Sequence, residues 1–429
     1  MIPFDRVIET LGLGEPHPAM RAAWSASEAL FAGARAGFCH PAPLEASARL
    51  LGLPEEFIRD MLAAIPAARA DPVLFPYLWH CRRLIGDPAA GWPLLGAGFP
   101  VIRPDAAPAA GMGYALVFLD SVAECRQRFR DLGVPEAVCL ETLQDFGRWI
   151  AEYKKARGAW GLSNLGWMQT HLRARIFSLG RLQFRLEWFG LDFHAWRETG
   201  TGRVLLLAGE GMSFQPPGLQ AYGEGAAQAP GAWTATYRET ADEVAGMPVD
   251  PRGAADPVPV RLPRSRWEPV LTKGDPVIGI HIPAGGPMDF AACGESFARA
   301  LAFFPKFFPS HPITAFTCGS WLLDPQFEGR LPETTNTLRF LREMYLHPLP
   351  GGTDYALFER VFDRKRPAAD VSLDGMTTLQ KAVMGLVREG GAWRAGASLL
   401  FPADLAWGAR PYRAMWPHGM RTADSGTMF

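Results

Sequence analysis

The sequence predicts an α+β protein, an N-terminal helical bundle followed by a mixed β-sheet flanked by helices. Three observations carry that reading. Before about residue 175 the apolar residues recur at helical spacing, and at about residue 176 the period drops from 3.6 to 2. From Val277 to Asp324 two strand–turn–helix units then follow one another, with polar residues at the strand ends.

The helical part is expected to span residues 1–175. Segments 17–34, 43–52, 54–69 and 72–85 are rich in Ala and Leu and punctuated by Pro and Gly. Two later stretches are clearer. Phe118, Val122, Cys125, Phe129 and Leu132 trace one helical face, as do Cys139, Leu143, Phe146, Ile150 and Tyr153. Gly133 ends the first, and Pro135 opens the second where its missing N–H costs little.

Residues 176–429 are expected to form the sheet-containing domain. In Arg181–Trp188 apolar and polar residues alternate, which marks a strand with one packed face. Its polar face carries Arg181, Gln183, Arg185 and Glu187. That face reads either as solvated or as the polar wall of a substrate cleft beside the helical domain. A second strand follows at 203–208. Residues 210–270 are dense in Gly, Pro and Ala, and read as an insertion that carries short β-prone pieces.

Beyond the insertion, a strand at 277–282 leads to a helix lined by Phe297, Leu301, Phe304 and Phe308. A strand at 313–321 leads to a helix near 335–346, N-capped by Thr334 or Thr335. Tyr355–Phe362 reads as a strand. A helix at 375–389 follows, with Asp374 before it and Gly390-Gly391 after it, and Ala397–Phe401 closes the sheet. The residues after 402 read as a packed, extended arm.

Composition excludes several classes of function. The chain has 429 residues, enough for two or three domains, and a net charge of -1, so nothing favours nucleic acid or an acidic membrane as partner. Arg outnumbers Lys, with abundant Ala, Gly and Pro, the usage of a GC-rich bacterial genome. Cysteines at 39, 81, 125, 139, 293 and 318 show no CxxC and no zinc-type spacing, so no metal site is expected and the thiols read as reduced. The N-terminus has no signal-peptide pattern, and no apolar run approaches about 18 residues. A cytoplasmic protein is the expectation. There is no Walker loop, GxGxxG, GxSxG, HExxH or EF-hand loop, which argues against kinases, Rossmann dehydrogenases, α/β-hydrolases and zincins.

Candidate chemistry lies in the Val277–Asp324 stretch, because open sheets bind ligands at the carboxyl ends of strands. His281 precedes a Pro283-Ala284-Gly285-Gly286 turn that enters a helix. The turn offers backbone N–H groups to a phosphate or a developing oxyanion, and the imidazole suits a general base. Cys318 and Ser320 share one strand face. Cys318 would be a nucleophile only within hydrogen-bond reach of a histidine, and Ser320 would hydrogen-bond a leaving thiolate. Trp321 reads as packing or substrate-binding, and Asp324-Pro325 as a turn signal first and a carboxylate base second. Asp289 and Glu295 favour the start of the following helix. His171, four residues after Trp167, reads as half of a helix-surface pair.

The order of a helical domain, Phe177–Phe184, His281-Ile-Pro283, Phe316–Pro325 and Leu331–Asn336 resembles a bacterial acyltransferase-domain family. Its members join an all-helical N-acyltransferase N-terminal domain to a C-terminal domain related to the GNAT (GCN5-related N-acetyltransferase) fold. The resemblance implies a mixed sheet whose central strands splay apart around an acyl-CoA or acetyl-CoA co-substrate. Ile280, His281, Ile282 and Pro283 would then face the pantetheine, and Ala284, Gly285 and Gly286 the pyrophosphate. The common turn in that fold has Gln or Arg followed by spaced glycines. Here Ala284–Asp289 carries no basic residue and one acidic one, so a carrier-protein thioester stands beside acyl-CoA as donor, with an acyl carrier protein as partner.

The expected activity is transfer of the acyl group to an amine or hydroxyl of a small-molecule acceptor through a ternary complex. His281, Ser320 and Cys318 are the catalytic candidates, and Arg181, Gln183, Arg185, Glu187 and Trp321 the substrate-binding ones. Two alternatives accompany it. One is a Cys318-dependent acyl hydrolase or transferase, the other a non-catalytic ligand-binding protein on a decayed acyltransferase fold.

Overall fold

The computed structural model describes residues 2–16, 18–87, 99–352, 354–362 and 366–415. They fall into two compact units. One comprises residues 1–179 together with Pro283–Gly286, the other residues 180–282 and 287–429.

The first unit is built from helices α1 (Phe4–Leu11), α2 (Pro18–Ala22), α3 (Trp24–Ala34), α4 (Pro41–Leu50), α5 (Glu55–Ala70), α6 (Leu74–Gly86), α7 (Ala110–Asp131), α8 (Glu136–Leu143), α9 (Asp145–Arg157) and α10 (Leu165–Leu172). Of the predicted apolar face, Phe118, Val122, Cys125 and Phe129 are buried on α7 while Leu132, just past its end, is exposed, and Gly133 follows at a left-handed φ of 70°. Phe118 stacks on Phe146 with ring centroids 4.1 Å apart. Each such buried ring contributes roughly 2–3 kcal/mol through the area it removes from water. The second apolar face is shared by two helices, α8 and α9, with Gln144 at their junction. The single segment expected at 17–34 is likewise split, into α2 and α3. A short strand, β1 (Ile176–Leu179), ends this part of the chain, its Ser178 N–H donating to Thr142 Oγ1 at 2.9 Å.

In the second unit, β2 (Leu182–Trp188) is the predicted strand, but its burial does not alternate as expected, since Gln183 is buried beside Leu182 and Phe184 while Trp188 is exposed. After it come β3 (Phe193–Glu198) and β4 (Val204–Ala208). Residues 210–270 prove to be sheet-forming. They supply β5 (Ser213–Gln215), β6 (Leu219–Gln220), β7 (Trp233–Thr234), β8 (Tyr237–Glu239), β9 (Glu243–Gly246), β10 (Pro248–Asp250), β11 (Ala254–Ala255) and β12 (Val260–Pro263), with β13 (Trp267–Leu271) following. One antiparallel sheet runs β11-β10-β4-β3-β13, and two small sheets run β12-β9-β8 and β6-β5-β7. Trp196, Leu205, Leu207, Val244, Leu262 and Trp267 form one buried cluster among them, so the region has its own core.

The main mixed sheet has the order β2-β14-β15-β17-β16, where β14 is Pro276–His281, β15 Phe316–Ser320, β16 Tyr345–Gly352 and β17 Arg394–Leu400. Helix α11 (Phe290–Phe307) covers one face, where Phe184 meets Phe297 and Phe304 at 5.7 and 6.5 Å. The helix expected near 335–346 is shorter, α12 (Asn336–Glu343), because the chain turns into β16 at Tyr345. The strand expected at Tyr355–Phe362 is instead a helix, α13 (Asp354–Phe362), which buries Leu357, Phe358 and Phe362. Their spacing of one and four residues is helical. Helix α14 (Thr378–Arg388) is opened by a capping box between Thr377 and Gln380, three residues after Asp374. The strand β17 lies inside the sheet, and β16 forms the edge. Residues 402–415 form a 3₁₀ turn and a short helix, α15 (Pro411–Met415). They are tied down by Arg197, which makes two 2.8 Å bonds to Asp404.

Candidate active site

The two central strands of the main sheet part company. Strands β14 and β15 are parallel and paired at Ile278 with Phe316 and at Gly279 with Thr317. Their outer partners continue further. β14 stays paired with β2 through His281 opposite Gln183, and β15 stays paired with β17 through Ser320 opposite Gly396. The two strands are therefore held on their outer edges while the ladder between them stops at Gly279 and Thr317, which leaves a V-shaped opening at their carboxyl ends.

The register divides the candidate residues between two faces. Ile278 and Phe316 share the α11 face, so Ile280, Cys318 and Ser320 point the same way. His281 lies with Gly279 and Thr317 on the other face. Strand parity thus puts Cys318 and His281 on opposite faces, against the histidine contact that a nucleophilic role would need. Cys318 is buried, and burial alone pushes its thiol up to about 12, so it is neutral and a poor nucleophile. Ser320 Oγ accepts from the Leu322 N–H at 3.2 Å, opening the 3₁₀ turn Trp321–Leu323. Its own hydroxyl proton is left to donate. Trp321 packs on Phe327 with centroids 6.4 Å apart.

The polar residues of β2 line the His281 face. Gln183 stands opposite His281 and is buried, while Arg185 stands opposite Gly279. Arg185 and Glu187 form an ion pair, both partly buried. Burial lowers the Arg185 pKa. The face is therefore partly sheltered, with Gln183 buried and Arg185 and Glu187 partly exposed. Glu187 reaches over Gly279, occupying the space a Cβ there would need. Arg181 is partly buried, and its Nε donates to Pro287 O at 2.9 Å.

Past Ile282 the chain enters the turn Pro283–Gly286, with Gly285 at φ 91°. Ala284, Gly285 and Gly286 are exposed. Asp289 then caps α11, its Oδ1 accepting from the Ala292 N–H at 2.8 Å. Asp324 also acts as a cap, accepting from Gln326 N at 2.9 Å and Arg394 N at 2.7 Å. Burial raises its carboxyl to about 6.

A polar cluster in the first unit escaped the sequence reading. Asp145, buried at the start of α9, accepts from Trp149 Nε1 at 3.0 Å, Trp167 Nε1 at 3.2 Å and Arg148 Nη1 at 3.0 Å. His171 Nε2 lies 3.2 Å from the same carboxylate, off the line of a well-directed hydrogen bond. Burial alone would raise the Asp145 pKa, but contact with His171 and the bonds from Trp167 and Arg148 hold it well below the usual range. His171 is wholly buried and so not a helix-surface residue. The spacing Asp145, Arg148, Trp149 is a helix-face pattern that could have been noticed. Its meeting with Trp167 and His171 is tertiary. Among the described residues no group of three or more His, Cys, Asp or Glu side chains could hold a metal, and no helix is long and apolar enough to cross a membrane.

Comparison with known proteins accords with this geometry. Residues 176–400, just over half the chain, match the GNAT-like C-terminal domain, and residues 42–174 match the N-acyltransferase N-terminal domain. The chain belongs to the GNAT-like C-terminal domain family. The splayed β14 and β15 are the central strands of that GNAT-like domain. Among solved structures it is similar to an acyltransferase in complex with decanoyl-CoA and teicoplanin, at TM-score 0.62 and 23% identity over 94% of this chain and 99% of that one. An acyltransferase in complex with decanoyl-CoA gives TM-score 0.61 and 21% identity over 94% and 100%. An acyltransferase variant in complex with octanoyl-CoA gives 0.61 and 23% over 93% and 99%. These likenesses establish a shared fold along almost the whole chain. No curated protein matches the sequence.

Proposed function

We propose that this GNAT-like protein is an acyltransferase that moves an acyl group from acyl-CoA to an amine or hydroxyl of a small-molecule acceptor, in a ternary complex. The observation that carries the reading is the ladder between β14 and β15, which ends at Gly279 and Thr317 while both outer ladders continue. A thioester in that opening has one sheet face on each side, with His281 on one and Ser320 on the other.

On this reading His281 takes the proton from the attacking amine as its nitrogen bonds to the thioester carbonyl. The C–S bond then breaks, and Ser320 donates a hydrogen bond to the departing thiolate. Ile282 and Pro283 flank the pantetheine, and backbone N–H groups of Ala284–Gly286 face phosphate. Arg181, Gln183, Arg185, Glu187 and Trp321 contribute to holding the acceptor. Residues 1–175 and 176–429 serve as the two domains, with 210–270 inside the second. The reaction would draw on cytoplasmic acyl-CoA, with an acyl carrier protein as the competing donor. The similar acyltransferases bind decanoyl-CoA and octanoyl-CoA, which makes these the first donors to try.

The test is calorimetric titration with acetyl-, octanoyl- and decanoyl-CoA, followed by mass spectrometry of a panel of amine acceptors incubated with protein and the donor that binds. Binding of a thioester, with acyl transfer that falls about a hundredfold or more in His281→Ala, supports the reading. No binding to any thioester, or turnover unchanged in both His281→Ala and Ser320→Ala, overturns it.

A further inference from the structure

The turn after β14 has no basic residue of its own, yet a guanidinium stands against it. A Cβ added at Gly285 would lie 3.6 Å from Arg148 Cδ and 3.7 Å from Arg148 Nε, so the Nε edge of that side chain is seated on the turn. Arg148 comes from the first turn of α9. It is held at one nitrogen only, Nη1 bonding Asp145 Oδ1 at 3.0 Å, and its side chain is 41% exposed where that of Asp145 is 3%. Among the described residues, Nε and Nη2 have no acceptor. The backbone N–H groups of Ala284 and Gly285 likewise donate to no acceptor among them. Gly285, at φ 91°, gives the backbone the left-handed step found where successive N–H groups converge on an anion.

We infer that Arg148 is the phosphate-binding cation of this site, supplied from the helical part of the chain in place of the basic residue missing from the turn, and that it selects a diphosphate-bearing donor. The inference rests on the acyl-CoA reading above and deepens it by naming the residue that recognises the donor's diphosphate. The pairing of a guanidinium edge with the N–H groups of Ala284 and Gly285 suits phosphate oxygens, which accept both kinds of donor. Asp145 is a positioning residue here. Trp149 and Trp167 fix its carboxylate, and it fixes the guanidinium, so little side-chain freedom remains to be lost when a phosphate arrives.

The test uses the full chain and calorimetric titration with CoA, dephospho-CoA and decanoyl-pantetheine, at low and moderate salt. Arg148→Gln is expected to weaken CoA and dephospho-CoA about tenfold, to flatten the salt dependence, and to leave decanoyl-pantetheine unchanged. Arg148→Lys, which keeps charge but not the planar edge, is expected to fall between. Thermal melting of both variants shows whether they fold. Wild-type affinity for CoA in a folded Arg148→Gln would overturn the inference while leaving acyl transfer standing. So would an equal loss on decanoyl-pantetheine. If Arg148→Gln does not fold, CoA affinity in Arg148→Lys equal to wild type overturns the inference, and a loss confined to the phosphate-bearing ligands supports it. Wild-type protein that binds none of the three removes the acyl-transfer reading itself.

Discussion

The carboxylate of Glu187 on β2 rests over Gly279 on β14, in the space where any other residue would place its Cβ. Gly279 is also one of the last two positions at which β14 pairs with β15. The glycine lets a charged side chain lie flat on the sheet where the central strands begin to separate. Gly279→Ala is expected to displace the tip of Glu187 and lower stability by about 1 kcal/mol, at the low end of the cost of overpacking because the side chain it meets can move. Glu187→Ala in the same chain should recover most of that loss, because it removes the clashing group. A double-mutant cycle of urea midpoints checks this, and additive losses would count against the contact.

Cys318 gives the second prediction. Its place on the α11 face, its burial and its raised thiol pKa leave it neither accessible nor ionised. Cys318→Ala is expected to retain acyl transfer within about twofold, and the native protein should resist alkylation there at pH 8. Peptide mapping after iodoacetamide treatment reads the second outcome. A covalent acyl adduct on Cys318 would restore the nucleophile reading.

The helical faces of α7–α9 and the strand β2 were legible in the sequence because their apolar residues recur with the period of the element they form. Strand parity told which of Ile280, His281, Cys318 and Ser320 share a face within one strand. It could not relate β14 to β15, since their relative register is fixed by tertiary pairing. The strand β16 was hidden by Pro348 and Pro350, which an edge strand tolerates because their missing N–H groups face away from the ladder. Strands β5–β12 showed in the sequence only as short β-prone pieces, because at two to four residues each they are too short for alternation to register. Arg148 was missed because its partner turn lies far along the chain.

Asp145 supports a third prediction. Asp145→Ala leaves two indole N–H groups and the Arg148 guanidinium without their common acceptor. The expected cost is about 3 kcal/mol or more, because the lost group is a buried carboxylate with charge-assisted bonds. The folded-state pKa of Asp145 is lowered, so its contribution is fully present above the ordinary value of 3.8 and is lost as pH falls through the lower folded value. The stability difference between wild type and Asp145→Ala should therefore be constant from pH 8 to 5 and shrink on further acidification. Urea denaturation across that range measures it, and a difference that grows in acid would contradict the assignment.

His347 predicts acid sensitivity of the opposite origin. It is buried on β16, with the Phe193 ring 4.8 Å away and Pro348 O 3.3 Å from Nδ1. Burial lowers its pKa from 6.5 to about 4, against a small opposing effect of the Pro348 carbonyl. The fold thus favours neutral imidazole while the unfolded chain takes up the proton more readily. The resulting stability is fully present above pH 6.5 and is lost as pH falls towards 4. By linkage the loss is roughly 2 kcal/mol at pH 5. His347→Gln, which cannot titrate, is expected to be less stable than wild type at pH 7.5 because it repacks imperfectly against Phe193, yet to lose less stability between pH 7 and 5. His80 is buried with its pKa lowered to about 3, so it leaves part of the acid effect in the variant. Urea midpoints at pH 7.5, 6 and 5 separate the two contributions. Identical slopes for wild type and His347→Gln would show that His347 is not the group that titrates.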